Sequence, residues 1–213
     1  MRLYVSVGPN PRIVRFFLRE KALTVDEQRI DLVGGENRAA AFLALNPAGQ
    51  LPALHLASGA VIGEAPVICD YLETRLGGPP LIGPDPERRA EVLMWVRRVE
   101  QTFAHPVTMA FRYGPGIGLF GPRMRCLPEA APGMADLARD GAAWLNDQLE
   151  GRTFLNGETL SLADITLWCF VDFARQRAGL AADPALAHLH AWFDRIALRP
   201  AAIQTEALAY GRT

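Results

Sequence analysis

The chain has 213 residues, of which 50% are hydrophobic, and a formal net charge of -1. This length and hydrophobic content suffice to bury one large core or two small ones, which excludes global disorder. The balanced charge, with no run of five like charges, argues against a nucleic-acid partner.

No segment approaches the roughly 18 consecutive apolar residues of a membrane span, and the N-terminal segment lacks the long apolar core of a signal peptide. We therefore expect a cytoplasmic protein with no membrane partner. Its three cysteines, Cys69, Cys126 and Cys169, fit neither a disulfide framework nor the spacing of a zinc or redox motif. They predict packing residues and no metal.

The first 46 residues predict the order β-α-β-α. Residues 2–7 ("RLYVSV") alternate as a strand does, and residues 11–23 place apolar side chains at helical spacing after a proline. Alternation returns in residues 24–33, and residues 36–47 form a short helix that stops before a proline.

A hairpin and a helix follow. Residues 51–64 ("LPALHLASGAVIGE") contain two short apolar runs joined by Ser58-Gly59, which is a hairpin signal. Residues 66–76 ("PVICDYLETRL") predict a helix with a proline in its first turn. The order of this half is therefore β-α-β-α-β-β-α.

The Gly- and Pro-rich residues 77–85 end this periodicity, and the long periodic segments after them are helical. We predict an α/β domain over residues 1–78, a linker over residues 79–87 and an all-helical domain over residues 88–213. Within the last of these, "SLAD" predicts a capping box with Ser161 as the N-cap.

Pro52 enters the third predicted strand, where it has no backbone N–H to donate to a sheet. A βαβ unit followed by a hairpin and a helix, with a proline at this point, is the arrangement of the thioredoxin fold, in which the proline is normally cis. The turn presents the N–H and C=O of the preceding residue, Leu51, to an extended peptide that pairs like an added strand. The predicted fold class is thus an α/β thioredoxin-like domain followed by an all-α helical bundle.

The whole chain resembles a cytosolic glutathione S-transferase of the bacterial type. Four stretches carry the resemblance: "LYVSVGPNPRIVRFFLREK", "FLALNPAGQLPAL", "GEAPVICDYLE" and "FLNGETLSLADIT". The resemblance implies glutathione as co-substrate, a homodimer, and conjugation of the glutathione thiolate to hydrophobic electrophiles or glutathione-dependent reduction of peroxides. The same fold also serves as a non-catalytic interaction module, which is the alternative function.

By this resemblance, Leu51 pairs through its main chain with the cysteinyl amide of glutathione, in the loop shaped by Pro52. Gln50 hydrogen-bonds the ligand, and Arg38 binds the glycine carboxylate.

The resemblance also assigns the γ-glutamyl end. Glu64 receives the ammonium group, and the helix start at Ala65 receives the carboxylate. Members of the family usually carry a serine where this chain has Ala65. The backbone N–H remains available, but a hydroxyl hydrogen bond worth about 1.5 to 3 kcal/mol to a charged group is lost.

The chain has no clear match to the Tyr, Ser or Cys with which the family activates the thiol. Gly8 takes the usual serine position, Asn10 lies near the usual cysteine position, and Tyr4 fits the tyrosine register only without a gap. Lowering a thiol pKa from about 8.5 to about 6.5 requires about 2.7 kcal/mol, whereas a helix dipole supplies about 0.3 to 1 kcal/mol. A hydrogen-bond donor is therefore needed. We rank the Asn10 amide and the N–H groups of the helix start ahead of Ser6, with a bound water as a further candidate.

The electrophile is expected against the first long helix of the helical domain, which should break at Pro106 and end at Gly114. The side chains expected to line its pocket are Phe103, Met109, Arg112 and Tyr113. The homodimer is also expected because the apolar residues Leu72, Leu93 and Val96 would otherwise be left in water.

Overall fold

The structure, a computed structural model, describes residues 1–181 and 183–209. The chain packs as two compact units: unit 1 contains residues 1–82 and the segment that begins at Arg199, and unit 2 contains residues 83–198. Helix α10 (Pro200–Ala209) therefore packs in unit 1, although the sequence placed it in the helical domain. The predicted domain boundaries remain a prediction, and residues 182 and 210–213 of the predicted helical domain lie outside the described residues.

Unit 1 contains a four-stranded sheet with the order β2-β1-β3-β4. Its strands are β1 (Arg2–Val5), β2 (Asp26–Arg29), β3 (Ala53–His55) and β4 (Val61–Ile62). Strand β1 is parallel to β2 and antiparallel to β3, and β3 is antiparallel to β4. The parallel pair requires a crossover, which is supplied by a helix as in any βαβ unit.

The helices of unit 1 follow the predicted order, β-α-β-α-β-β-α, which is confirmed. They are α1 (Pro9–Glu20), α2 (Ala40–Leu45), which is preceded by a 3₁₀ turn (Glu36–Arg38), and α3 (Ala65–Leu76). The predicted turn between β3 and β4 is closed by a hydrogen bond of 2.8 Å from the Leu56 N–H to the Ala60 carbonyl.

A buried ion pair joins the end of α1 to α3. The side chain of Lys21 is fully buried, and its Nζ lies 3.0 Å from Glu73 Oε2 and also donates to the Pro79 carbonyl. The Glu73 carboxylate accepts the N–H groups of Leu81 and Ile82 as well, each at 2.8 Å. One carboxylate therefore joins the end of α1, the last turn of α3 and the segment that leaves α3.

Unit 2 is helical, as predicted. Its helices are α4 (Pro86–Val99), α5 (His105–Tyr113), α6 (Ile117–Phe120), α7 (Ala131–Gln148), α8 (Leu162–Gln176) and α9 (Ala187–Ala197). Within residues 1–181 and 183–209, no helix is both long and apolar enough to cross a membrane.

The helix break predicted at Pro106 is wrong, because the chain stays helical from α4 through α5. A π-helical turn (Glu100–Ala104) joins the two, and the His105 N–H donates to the Glu100 carbonyl five residues before it. Pro106 has no N–H for the usual bond to the carbonyl four residues back, and the wider turn accommodates this loss. The predicted end of α5 at Gly114 is confirmed.

Two of the apolar residues expected to be exposed are buried inside their own units, so that expectation is wrong. Leu72 and Val96 are 0% and 1% exposed, and Leu93 is half-buried. Helical periodicity identified their apolar stripe but not which neighbours cover it. The exposed apolar side chains on α3 and α4 are instead Val67 (53%) and Met94 (41%).

Helix α8 begins with the predicted capping box. The Ser161 N–H and hydroxyl donate to Asp164 Oδ2 at 3.0 and 2.8 Å, and the Leu155 N–H and Trp192 Nε1–H donate to Oδ1 at 2.8 and 3.0 Å. Burial raises the pKa of the Asp164 carboxyl above its ordinary value, while the donated hydrogen bonds lower it. This one carboxylate joins α8 to α9 and to the loop before α8.

Helix α7 packs directly on the π-helical turn at Gly141. A Cβ atom added there would lie 2.0 Å from the Thr102 carbonyl oxygen, which is inside any allowed contact. Gly133, near the start of the same helix, has no atom within 4 Å of the corresponding position. The two glycines therefore form a matched pair, one at a close helix contact and one in open space.

Gly141→Ala is expected to lower the free energy of unfolding by about 1 to 3 kcal/mol, because the backbone of one helix must move. Gly133→Ala is expected to raise it by up to about 1 kcal/mol, because alanine is the better helix former. Urea unfolding of both variants measures the difference. Equal effects in the two variants would show that the close contact at Gly141 does not constrain the packing.

Candidate functional site

The sheet of unit 1 brings four connections to one edge. Because β1 and β2 are parallel, both end there, and because β3 is antiparallel to β1, with Ala53 opposite Tyr4, β3 begins there. Strand β4 is antiparallel to β3 and therefore ends at the same place. We call it the site edge. The connections that meet there carry Asn10, Arg38, Leu51 and Glu64.

The predicted cis peptide between Leu51 and Pro52 is confirmed. The Leu51 side chain is buried in a cluster with Ile30, Phe42 and Ala53. Among the described residues, none accepts from the Leu51 N–H or donates to its carbonyl. The side chain is therefore anchored while the main chain is open to pair with a ligand.

Two asparagines hold the loop before Leu51. The buried Asn37 Nδ2 donates to the Gly49 carbonyl at 2.7 Å, and Asn46 Nδ2 donates to the Gln50 carbonyl at 2.9 Å. Gly49 has φ 60°, and a Cβ there would lie 3.0 Å from both the Asn37 carbonyl oxygen and Arg38 Nη1. This close approach places the exposed side chain of Arg38 beside the loop that carries the exposed Gln50.

Sequence reasoning missed Asn37 and Asn46. A signal was present for Asn46, because an asparagine before a Pro- and Gly-containing turn commonly bonds to nearby backbone. Asn37 had no such signal, since its partner lies in a different loop.

Glu64 and Ala65 form the start of α3. Glu64 has φ 63° and ψ 120°, a left-handed conformation that is rare for a residue with a side chain, and its side chain is exposed. Its carbonyl accepts the Ile68 N–H at 2.9 Å, which closes the first turn. Ala65 is buried, and because Pro66 has no N–H, the helix start offers the N–H groups of Ala65 and Val67. Backbone strain of this kind is concentrated at functional sites.

The two candidate thiolate donors differ in what they already bind. The Ser6 hydroxyl is buried, donates to the Ile30 carbonyl at 2.7 Å and accepts the Leu32 N–H at 3.4 Å. The one proton of this hydroxyl is therefore already donated to the Ile30 carbonyl and is not available to a thiolate. Asn10 is exposed at the second position of α1, between Pro9 and Pro11. This arrangement favours Asn10, together with the N–H groups of the first turn, over Ser6.

Two other residues of this region were assigned by register alone. The Tyr4 ring packs edge-on against Phe42, with the ring centroids 5.9 Å apart. Gly8 is the N-cap residue of α1 with φ 109° and has no side chain with which to cap the helix. The structure therefore gives Tyr4 a packing contact and leaves the first turn of α1 without a side-chain cap.

The residues predicted to line the electrophile pocket lie in unit 2. Phe103 is buried in the π-helical turn and lines a cavity of about 280 Å³ formed with α7, α8, α9 and the loop before α9. The other three residues, Met109, Arg112 and Tyr113, lie half-buried on α5 and do not line this cavity. The Arg112 guanidinium stacks 5.1 Å from the centre of the Phe120 ring. This cavity therefore does not bring the four side chains together.

Within the described part of the chain, no group of three or more His, Cys, Asp or Glu side chains is placed to hold a metal ion. The polar groups of the site edge are instead cationic, amide and backbone N–H groups, together with the Glu64 carboxylate. These groups suit a ligand that carries both carboxylate and ammonium charges.

Comparison with known proteins matches both halves of the chain to the same family. A family model described as the N-terminal domain of glutathione S-transferase matches residues 7–75, and one described as the C-terminal domain matches residues 128–195. Glutathione S-transferase 2 of Saccharomyces cerevisiae is 32% identical over 198 residues, which cover 91% of this chain and 83% of that protein.

Solved structures of related proteins match the chain over nearly its full length. Gtt2 from Saccharomyces cerevisiae has a TM-score of 0.89 at 30% identity and covers 96% of this chain and 100% of its own. A glutathione S-transferase domain-containing protein from Marinobacter aquaeolei VT8 has a TM-score of 0.88 at 33% identity, with coverages of 95% and 100%.

The chain therefore belongs to the glutathione S-transferase family. The predicted fold class, a thioredoxin-like domain followed by an all-helical domain, is confirmed. The chain is an enzyme of this family, whose members use glutathione, and its match to named transferases over most of its length favours catalysis over the non-catalytic module.

Proposed function

We propose that the protein conjugates the thiolate of glutathione to hydrophobic electrophiles and that the site edge of unit 1 is its glutathione site. The observation that carries this proposal is the open main chain of Leu51, whose side chain is anchored in a buried cluster. An extended peptide such as glutathione pairs with a main chain held in this way as an added strand does. The same activated thiolate would serve glutathione-dependent reduction of small peroxides.

Each part of glutathione then has a partner. The cysteinyl unit pairs with Leu51, next to Pro52, and Gln50 bonds to the ligand. The glycine carboxylate meets the exposed guanidinium of Arg38, which lies against the Gly49 turn. These assignments are supported by the convergence of their connections at the site edge.

The γ-glutamyl end binds at the start of α3. Its ammonium group pairs with the Glu64 carboxylate, and its carboxylate accepts the backbone N–H groups of Ala65 and Val67 at the positive end of the helix dipole. The strained backbone of Glu64, with φ 63°, supports a binding role for this turn.

The reaction needs no enzyme nucleophile. The glutathione thiol releases its proton to solvent, and the thiolate is stabilised by the Asn10 side-chain amide and by the Asn10 N–H, the backbone donor between the two prolines of the first turn. The sulfur then attacks an electrophilic carbon, a carbon–sulfur bond forms, and the leaving group departs with its electron pair. The side chains that we propose for the electrophile are Phe103, Met109, Arg112 and Tyr113.

We further propose that the protein works in the cytoplasm as a homodimer. Val67 on α3 and Met94 on α4 are exposed apolar side chains that an interface would cover. Light scattering at micromolar protein concentration is expected to give the mass of two chains. A mass equal to that of one chain would exclude the dimer at that concentration.

Ala65→Ser is expected to tighten glutathione binding about tenfold or more, because it restores a hydroxyl bond worth about 1.5 to 3 kcal/mol to the γ-glutamyl carboxylate. Calorimetric titration with glutathione measures this gain. Ala57→Ser, in the exposed turn between β3 and β4, is the control and should leave the affinity unchanged. An unchanged affinity in Ala65→Ser would place the γ-glutamyl carboxylate elsewhere.

Asn10→Ala is expected to lower turnover of a chloronitrobenzene at neutral pH roughly tenfold, which corresponds to about 1.4 kcal/mol. The pKa of bound glutathione should rise by about one unit, because the thiolate loses a donor, while its affinity changes little. Thiolate absorbance across a pH titration and the pH–rate profile measure both effects.

Ser6→Ala is the matched control for this test. It should lower stability, because the Ile30 carbonyl loses its donor, and leave the thiol pKa unchanged. The opposite pattern would transfer the role to Ser6, and wild-type pH profiles in both variants would leave backbone N–H groups or a bound water as the donor. A wild type that neither binds nor turns over glutathione would exclude the proposed function.

A further inference from the structure

Arg12 is a buried cation in the first half of α1, two residues after Asn10, and only 2% of it is exposed. Its guanidinium reaches α10, where Nε donates to the Thr205 hydroxyl and Nη2 to the Ala202 carbonyl, both at 3.3 Å. A charged donor this deeply buried is costly unless its bonds are kept, so the contact fixes the relative position of the two helices.

The Thr205 hydroxyl is itself oriented to receive Arg12. It is buried and shares its one proton between the carbonyls of Ala201 and Ala202 on its own helix, at 2.9 and 3.0 Å. Its proton is therefore directed away from Arg12, and its lone pairs are left to accept the guanidinium.

The other end of α1 is tied to the same segment. Arg199, just before α10, pairs with Glu20 through two hydrogen bonds, from Nε to Oε1 at 2.7 Å and from Nη2 to Oε2 at 2.6 Å. The segment from Arg199 to Thr205 thus holds α1 near its start through Arg12 and at its last residue through Glu20. The two contacts provide a matched pair for experiment.

The start of α1 has few restraints of its own. Its N-cap is Gly8, no side chain caps it, and Pro9 and Pro11 contribute no N–H. A donor displaced by about 1 Å costs on the order of a hundredfold in rate, so the position of this turn matters to any chemistry that it supports.

We propose that Arg12 and Thr205 are positioning residues, through which α10 holds the first turn of α1 where its donors meet the glutathione sulfur. The proposal rests on the proposed function for the identity of that ligand. Neither side chain touches glutathione in this scheme, and their effect passes through the backbone of α1.

Thr205→Val tests this directly, because it keeps the charge of Arg12 and removes only the hydroxyl that accepts it. The pKa of bound glutathione is expected to rise by about half a unit to one unit, with turnover at neutral pH falling about three- to tenfold. Glutathione affinity should stay within about twofold. Thr205→Ser, which keeps the hydroxyl, should restore the wild-type pH profile.

Glu20→Gln is the control at the far end of α1. It weakens the pair with Arg199 and lowers stability, but it should leave the thiol pKa unchanged, because the first turn keeps its contact with Thr205. A thiol pKa that is unchanged in Thr205→Val would overturn the proposal. An equal shift in Glu20→Gln would also overturn it, because general loosening of α1 would then explain both variants.

Hydrogen exchange separates this proposal from the proposed function. The backbone amides of residues 13 and 14, which bond to carbonyls of the first turn of α1, should exchange faster in Thr205→Val than in the wild type, and at wild-type rates in Glu20→Gln. Unchanged exchange in Thr205→Val would overturn the positioning role whether or not the protein is active. Faster exchange in a protein that neither binds nor turns over glutathione would support the contact and reject only the proposed function.

Discussion

The buried carboxylate of Glu73 is the interaction on which unit 1 depends. It holds the ammonium group of Lys21 at the end of α1 and two backbone N–H groups of the segment that leaves α3. Removing either charge would leave the other buried without its counter-charge, which typically costs about 3 to 5 kcal/mol. The last turn of α1 is thus held here and by Arg199, and its first half is held by Arg12.

Three residues near the site edge have unusual backbone conformations. Glu64, Gly8 and Gly49 all have positive φ, at the start of α3, at the start of α1 and in the loop before β3. Positive φ also occurs in the turns of unit 1 away from these positions, at Ala22, Gly59 and Gly77 among others. Glycine adopts this conformation without strain, so of the three residues only Glu64 stores strain. Such strain is typical of functional sites, because the surrounding fold must stabilise it. The backbone of Glu64 thus supports the same edge as the strand directions do.

Short-range signals made much of the fold predictable. The Ser58-Gly59 turn, Pro52 and the box at Ser161 each act within a few residues, so the sequence indicates them directly. The π-helical turn was missed because a proline in a helix permits either a break or a wider turn, and local sequence does not choose between them. The cover over Leu72 and the contact between Arg12 and Thr205, 193 residues apart, depend on packing that no local pattern encodes. For the site, motif positions could be carried over by resemblance, but the hydrogen bonds that hold Ser6 and Asn37 could not.

The placement of α10 makes unit 1 discontinuous in sequence, with unit 2 inserted between its two segments. Glu20 and Arg199 are separated by 179 positions in the sequence, and Arg12 and Thr205 by 193. Such contacts form late in folding, because closing so long a loop is entropically costly. On the ribosome, the residues of unit 2 emerge together and can fold as one piece. Unit 1 must wait for the segment after Leu198, so α1, although synthesised first, acquires its full set of partners last.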